Sequence, residues 1–253
     1  MDLLISSATH RSGSTLVQRL FNARKKTLIW GENGGCLTDF CRIYNQALHY
    51  SEAFQDVRES YFNNGQDPNQ WLACMTPPKK ILKEALLQAV KDFHYNLYVK
   101  AYQKNFDMFG YKEVRYGREE LLLFRECYPD ATVLLLIRHP VDVWKSVSKR
   151  ARKERYGSVE AFCELWKRRV IEYLQLQAED PKMPLIRYED VANRDQKTLA
   201  LIRSLGQLTH NDMEGVLDVV ISSSRKKTPP KEIAKINTLC QNVMAEVGYE
   251  KKQ

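Results

Sequence analysis

The chain has 253 residues, 43% of them hydrophobic, and a formal net charge of +8 at pH 7. This length suits a single domain with a full core, and the positive charge favours anionic partners such as nucleotides, nucleic acid or an anionic membrane surface. No apolar run reaches the roughly eighteen residues that a membrane span requires, and the early first strand leaves no room for a signal peptide, so we expect a cytoplasmic protein without a membrane span.

The first predicted element is a buried strand, Leu3–Ser7, that runs into a turn of small residues and then a helix. Backbone N–H groups at the start of a helix lack partners and carry partial positive charge, so such a turn binds phosphate or sulfate. The turn lacks the Gly-Lys-Ser/Thr ending of a Walker A loop, and its cation, Arg11, stands before the turn. The pattern therefore predicts a site for a phosphorylated ligand rather than for ATP with magnesium.

The second predicted strand, Thr27–Trp30, leads into a glycine-rich segment that carries Glu32. In an open parallel sheet the carboxyl ends of the strands form the ligand-binding edge, so Glu32 is expected beside the first turn. A glutamate in a glycine-rich loop is, taken alone, more often simply solvated.

The stretch 44–105 interrupts the alternation of strands and helices. It is rich in aromatic residues, is divided by the pair Pro77 and Pro78, and has a mostly helical pattern. We expect it to pack over one edge of the sheet as a core-filling insertion, which is compatible with a second role as a cap over a substrate site. The whole of 1–253 is expected to form one domain.

Three further apolar runs, 108–112, 132–137 and 184–187, are predicted as strands. The run 132–137 is apolar on both faces, which is typical of a central strand in a parallel sheet covered by helices. Strands that alternate with helices indicate an α/β fold, with an open, P-loop-like parallel sheet of about five strands and helices on both faces. The last predicted helix spans about 230–247.

The strand 132–137 ends in a cation, Arg138, and a helix can begin immediately after it at Pro140. Magnesium-dependent P-loop enzymes usually end a comparable strand in aspartate, whereas arginine can grip a phosphate in fork geometry. Ser146 and Arg150 are four residues apart, which predicts one helical face and a second phosphate site with Arg138. An arginine at a strand end is more often in a surface ion pair, but two anion sites on neighbouring loops favour phosphate.

These motifs together resemble the sulfotransferases that use 3′-phosphoadenosine 5′-phosphosulfate (PAPS). The stretch 10–16 is similar to their 5′-phosphosulfate loop, and the stretch 137–142 with Ser146 is similar to their 3′-phosphate site. The segment 186–191 and the closing Gly248-Tyr249 also resemble segments of the family. The chain departs from the family pattern at two positions, where His10 replaces the usual proline and His139 the usual asparagine.

The resemblance implies that PAPS is the sulfuryl donor and that no metal is required. Arg11 and the loop amides would bind the 5′-phosphosulfate, Arg138 and its helix would bind the 3′-phosphate, and Tyr188 would contact the adenine region. Ser223 and Ser224 lie in a basic stretch that either closes over the 3′-phosphate or is a solvated loop. The implied donor contacts are Arg11, Ser12, Gly13, Ser14, Thr15, Arg138, Ser146, Arg150, Tyr188, Ser223 and Ser224.

The resemblance also implies a catalytic carboxylate. Glu32 lies 21 residues after Arg11, which matches the Gly-Glu pair of the Golgi tyrosylprotein sulfotransferases, and it is expected to act as the general base. This role requires a pKa raised by partial burial, and Trp30 is the expected apolar neighbour. His10 and His139 are the alternative bases.

Lys112, at the end of the third strand, matches a lysine that many related sulfotransferases carry there. It is expected to contact the transferring sulfonate or the bridging oxygen, and Arg11 is expected to contact the same phosphosulfate group. The alternative is an ion pair of Lys112 with Glu113 or Glu119.

The acceptor is expected to be a small molecule with a hydroxyl or an amine, and its identity and the oligomeric state stay open. One competing class is a P-loop small-molecule kinase, which the missing Gly-Lys pair and Arg138 disfavour. Another is a basic nucleotide- or nucleic-acid-binding protein without catalysis, although no nucleic-acid motif accompanies the cationic run 145–155. The six cysteines show no Cys-x-x-Cys spacing, which favours inert thiols over a metal site or disulfides.

Overall fold

The computed structural model of the protein describes residues 1–219 and 228–252. One sheet contains five strands, which are β1 Leu3–Ser7, β2 Thr27–Trp30, β3 Met108–Glu113, β4 Thr132–Ile137 and β5 Leu185–Arg187. Their order across the sheet is β2-β3-β1-β4-β5, and every neighbouring pair is parallel. The predicted open parallel α/β fold is confirmed, and the strand bounds agree with the predicted ones to within one residue.

Helices connect the strands and surround the sheet. In chain order they are α1 Ser14–Asn22, α2 Cys36–Ala53, α3 Gln55–Asn63, α4 Lys79–His94, α5 Arg118–Cys127, α6 Pro140–Ser146, α7 Lys149–Arg155, α8 Val159–Glu179, α9 Tyr188–Ala192, α10 Gln196–Gly206, α11 His210–Leu217 and α12 Pro230–Glu246. A 3₁₀ turn spans Pro68–Gln70, and a π-helical turn spans Tyr95–Val99.

Both faces of the sheet are covered by helices, as the apolar run of β4 predicts. Val133, Leu135 and Ile137 join the core cluster on the face of α5, α8 and α12, whereas Leu134 and Leu136 join the cluster on the face of α1, α10 and α11. Because successive side chains of a strand point to opposite faces, a strand buried on both sides needs apolar residues at every position. The sequence pattern of β4 therefore follows from its place inside the sheet.

The aromatic stretch 44–105 is mostly helical, and it contacts the edge strand β2. The π-helical turn Tyr95–Val99 meets Trp30, the last residue of β2. The Trp30 ring centroid lies 5.0 Å from that of Tyr102 and 6.4 Å from that of Tyr98, and its Nε1–H donates to the Tyr98 carbonyl at 3.2 Å. The insertion is thus anchored at the strand end that leads into the glycine-rich loop.

Two expectations from composition can be compared with the structure. All six cysteines are free thiols, and four of them are buried. Within residues 1–219 and 228–252, no helix is both long and apolar enough to cross a membrane.

Candidate functional site

The turn between β1 and α1 has the shape of an anion-binding loop. Arg11 and Gly13 adopt positive φ angles of 67° and 83°, and the Ser12 hydroxyl closes the turn by donating to the Thr9 carbonyl at 2.7 Å. The backbone amides of 12–15 donate to no acceptor in the described parts of the chain. These N–H groups stand at the start of α1, where partial positive charge favours an anion.

Arg138 and Tyr188 close around this loop. The ring of Tyr188 lies so near Gly13 that a Cβ there would stand 2.0 Å from it. The Arg138 guanidinium lies 4.4 Å from the centroid of the Tyr188 ring, and its Nη1 donates to the Arg11 carbonyl at 2.9 Å. Its Nε is buried and has no partner among the described residues. The tertiary structure therefore brings four predicted donor contacts together, which are Arg11, Gly13, Arg138 and Tyr188.

The predicted helical face shared by Ser146 and Arg150 is wrong. Helix α6 ends at Ser146, and Val147 is extended. The Ser148 hydroxyl then accepts from the amide of Ala151 and starts α7 as a new helix. The Arg150 side chain is 87% exposed and pairs with a glutamate of its own helix at 2.6 Å. Ser146 remains at the end of α6, and the predicted contacts Ser223 and Ser224 lie outside the described residues.

The basic run 145–155 is not one solvated cationic face. Arg152 is buried, and its guanidinium lies 4.7 Å from the centroid of the Trp144 ring. It forms an ion pair with Glu232 at 3.0 Å and donates to the Thr228 hydroxyl at 3.0 Å. One cation of the run is thus used to join α7 to the chain that enters α12.

Glu32 and Lys112 form an ion pair at the carboxyl edge of the sheet. The Lys112 Nζ lies 2.7 Å from Glu32 Oε1, and the Arg115 Nη1 lies 3.1 Å from Glu32 Oε2. Lys112 is opposite Ile5 in the register of β1 and β3. The charges of Glu32 and Lys112 both act on the pKa of His10, which places the pair near the loop that follows β1. The alternative pairing of Lys112 with Glu113 or Glu119 is wrong, because its partner is Glu32.

The expected rise in the pKa of Glu32 is also wrong in this state of the protein. Partial burial favours the neutral carboxyl, but the hydrogen bond and charge of Lys112 and the charge of Arg115 outweigh it. The pKa of Glu32 is therefore below its usual value, and the group is an ionised carboxylate at neutral pH. It can accept a proton only weakly while both cations hold it.

The two histidines differ in their suitability as alternative bases. Burial and the charge of Arg155 lower the pKa of His10 to about 4, so its ring is neutral at pH 7. His139 is buried, its Nδ1 accepts from the Val141 amide at 3.2 Å, and its Nε2–H donates to the Glu250 carbonyl at 2.8 Å. Both ring nitrogens of His139 are thus engaged, and its position favours a structural role.

The segment 186–191 and the C-terminal Gly248-Tyr249 contact each other. Glu189 accepts from the Tyr249 hydroxyl at 2.7 Å and from the amide of His139 at 3.0 Å. Arg187 donates to the Gly248 carbonyl at 3.0 Å. The C-terminal tail is therefore tied to the residue that follows Arg138.

Sequence reasoning missed the contact of Arg115 with Glu32, and it considered Glu113 only as an ion-pair partner of Lys112. Arg115 contacts Glu32 directly, and Glu113 is fully buried beneath the same loop. The signal was a charged pair immediately after Lys112 at the end of a buried strand, since ligand sites in open parallel sheets form at that edge.

These elements define an α/β protein of P-loop-like architecture, with an open amide loop, an opposing arginine and a paired carboxylate and lysine at one sheet edge. A family model described as "Sulfotransferase family" matches residues 7–212, and the chain belongs to this family. The resemblance found in the sequence is thereby confirmed.

Solved sulfotransferase structures have the same fold. The sulfotransferase domain from the curacin biosynthetic pathway has a TM-score of 0.59 at 16% identity, over 99% of each chain. The sulfotransferase domain from the Synechococcus PCC 7002 olefin synthase has a TM-score of 0.56 at 16% identity, over 98% of this chain and 94% of that one. A sulfotransferase from Mycobacterium tuberculosis H37Rv has a TM-score of 0.51 at 12% identity, over 96% of this chain and 76% of that one. No curated protein sequence matches the chain.

Proposed function

We propose that the protein transfers a sulfuryl group from PAPS to a hydroxyl or amine of a small-molecule acceptor. The observation that carries this proposal is the Glu32–Lys112 pair, 2.7 Å apart, beside the open amide loop. A base and a cation next to an anion site are the groups that sulfuryl transfer requires.

The donor fits the charges and free donors around the loop. The amides of 12–15, with Arg11, match a phosphosulfate. The Arg138 guanidinium, held at this loop by its bond to the Arg11 carbonyl, matches a second phosphate, as in a 3′-phosphorylated nucleotide. Tyr188 lies between these two sites and would border the adenine. When bound, PAPS supplies a sulfuryl group linked to a phosphate that can leave.

Glu32 is the proposed general base. Its carboxylate takes the proton of the acceptor hydroxyl as the new O–S bond forms. The bond between sulfur and the bridging phosphate oxygen breaks, and its electron pair stays on that oxygen. Lys112, Arg11 and the amides of 12–15 stabilise the resulting negative charge, so we propose that no metal is needed.

Lys112 links donor binding to the strength of the base. In this state its Nζ donates to Glu32 and lowers the pKa of that carboxyl. We propose that Lys112 turns from Glu32 to the bridging oxygen when the donor binds. The same movement removes the interaction that weakens the base, so we propose that Glu32 becomes a better proton acceptor when the donor is in place.

We further propose that 1–253 is a single sulfotransferase domain and that the helices of 44–105 border the acceptor site. Trp30 supports this, because it lies two residues before Glu32 and its ring packs on Tyr98 and Tyr102 of that stretch. The cytoplasmic location stays a prediction.

Binding and transfer measurements test the proposal. Titration calorimetry should show that adenosine 3′,5′-bisphosphate binds at least about tenfold more tightly than adenosine 5′-phosphate, and that Arg138→Ala removes this preference. Labelled PAPS should then transfer sulfate to a member of a panel of phenols, alcohols, sugars and amines. Preferential binding of magnesium–ATP would refute the proposal and favour a kinase, whereas salt-dependent binding of nucleic acid without nucleotide binding would favour the non-catalytic class.

A further inference from the structure

Glu113 is a buried carboxylate at the end of β3. Its side chain is fully excluded from solvent, which is unfavourable unless hydrogen bonds and opposite charges replace the lost water. Oε2 accepts from the amide of Gly35 at 2.9 Å and lies 3.3 Å from the amide nitrogen of Asn33. Oε1 accepts from the amide of Val114 at 2.7 Å and from the Arg115 guanidinium. Four N–H donors from two loops therefore converge on one carboxylate.

These donors flank the proposed base on both sides. Asn33 directly follows Glu32 in the chain, so the bond to its amide restrains the backbone next to the base. The Arg115 Nη1 that contacts Glu113 also donates to Glu32 Oε2 at 3.1 Å. Glu113 thus holds both the loop that carries Glu32 and the cation that contacts it.

The loop needs such a restraint because it contains two glycines. Gly34 and Gly35 have φ angles of +80° and +87°, a conformation that glycine adopts easily but also leaves easily. The Asn33 side-chain oxygen accepts from the amides of Gly35 and Cys36, at 3.1 and 3.2 Å, and from the Tyr116 hydroxyl. The loop is therefore held both by the Asn33 side chain and by Glu113, and only Glu113 carries a charge.

We propose that Glu113 is a positioning residue for Glu32, which it fixes beside Lys112 and the anion loop by holding the loop 33–35 and the Arg115 guanidinium. This inference rests on the proposed function, in which Glu32 is the base. The alternative is that Glu113 contributes to folding alone.

Glu120 provides a matched control for the folding role. Its side chain is also buried, and it accepts from the Gly117 amide and the Thr38 hydroxyl, both at 2.8 Å. Glu120→Gln should therefore perturb a buried carboxylate without acting on Glu32.

Double-variant kinetics test the proposal. Glu113→Gln and Glu120→Gln are each made in the wild-type protein and in Glu32→Gln, with PAPS and the best acceptor of the panel. In the wild-type background we expect Glu113→Gln to lower kcat about 100-fold, with the KM for PAPS and the Kd for adenosine 3′,5′-bisphosphate within about threefold. In the Glu32→Gln background it should cost less than about twofold, because the base it positions is already absent.

A second measurement does not depend on turnover. Glutamate labelled with ¹³C at the carboxyl carbon allows the Glu32 titration to be followed by NMR, with Glu32→Gln for assignment. Glu113→Asp keeps the negative charge but draws it back from the loop 33–35, so Glu32 should separate from Lys112 and its pKa should rise. Glu120→Gln should leave the Glu32 titration unchanged.

Equal losses of kcat in both backgrounds, or an unchanged or lowered pKa of Glu32 in Glu113→Asp, would overturn the positioning role and leave the proposed function intact. Full turnover by Glu32→Gln would instead refute the base, and the positioning role with it. If Glu113→Gln does not fold, Glu113→Asp keeps the charge but withdraws it from the loop. It should show a smaller loss of kcat with the same dependence on Glu32, and a loss independent of Glu32 would contradict the inference.

Discussion

Gly13 meets two demands at once, a left-handed backbone and the close approach of an aromatic ring. Its φ angle is +83°, and a Cβ at this position would stand 2.0 Å from the ring of Tyr188. We therefore expect Gly13→Ala to destabilise the protein and to weaken donor binding, because the ring has to move away from the anion loop.

The magnitude follows from these two demands. A left-handed conformation costs an alanine about 1–2 kcal/mol. Displacing the Tyr188 ring also removes its contact with Arg138, which is worth about 0.5–1 kcal/mol, together with part of its packing. The expected loss in the free energy of unfolding is about 2–4 kcal/mol. Gly157→Ala is the matched control, since Gly157 has a φ angle of +74° and open space around a Cβ, and it should lose only the backbone cost.

Urea unfolding of both variants measures the difference in stability, and calorimetry with adenosine 3′,5′-bisphosphate measures the donor site. Gly13→Ala should weaken this affinity at least about tenfold, because the amides of 12–15 and Arg138 both adjoin the displaced ring. Gly157→Ala should leave it unchanged. Equal destabilisation by the two substitutions, with unchanged affinity in Gly13→Ala, would refute the reasoning.

Three further predictions concern other charged and polar groups. Burial lowers the pKa of His94 from 6.5 to about 4, so the folded protein should lose up to about 3 kcal/mol of stability as pH falls through this range, and His94→Gln should flatten that part of the unfolding curve. Lys112→Ala should raise the pKa of Glu32 in the free enzyme, move the acid limb of the kcat/KM–pH profile to higher pH and lower kcat about 100-fold. An unshifted acid limb would show that Lys112 does not set the pKa of Glu32. Tyr249→Phe removes the bond to Glu189 and should cost about 1 kcal/mol in urea unfolding, with a several-fold weaker adenosine 3′,5′-bisphosphate affinity. Unchanged affinity would show that the contact between the C-terminal tail and Glu189 contributes to stability alone.

Features that depend on neighbours in the chain could be predicted from the sequence. The apolar run of β4 indicates a strand covered on both faces, and the small residues before α1 indicate free amides at a helix start. The break after Ser146 was also readable, because Ser148 is a favoured residue for starting a helix. The four-residue spacing from Ser146 to Arg150, taken alone, predicts a continuous helix.

The charge state of Glu32 could not be predicted in the same way. Its burial alone would raise the pKa, and the sequence does not reveal that Lys112 and Arg115, 80 and 83 residues away, contact its two oxygens. The same holds for the burial of Glu113 and for the approach of Tyr188 to Gly13. By itself, the sequence determined the sheet, the turn with free amides before α1 and the family. Only the tertiary structure decided which charges meet at the sheet edge, because electrostatic and hydrogen-bond energies depend on distance in space, which separation along the chain does not specify.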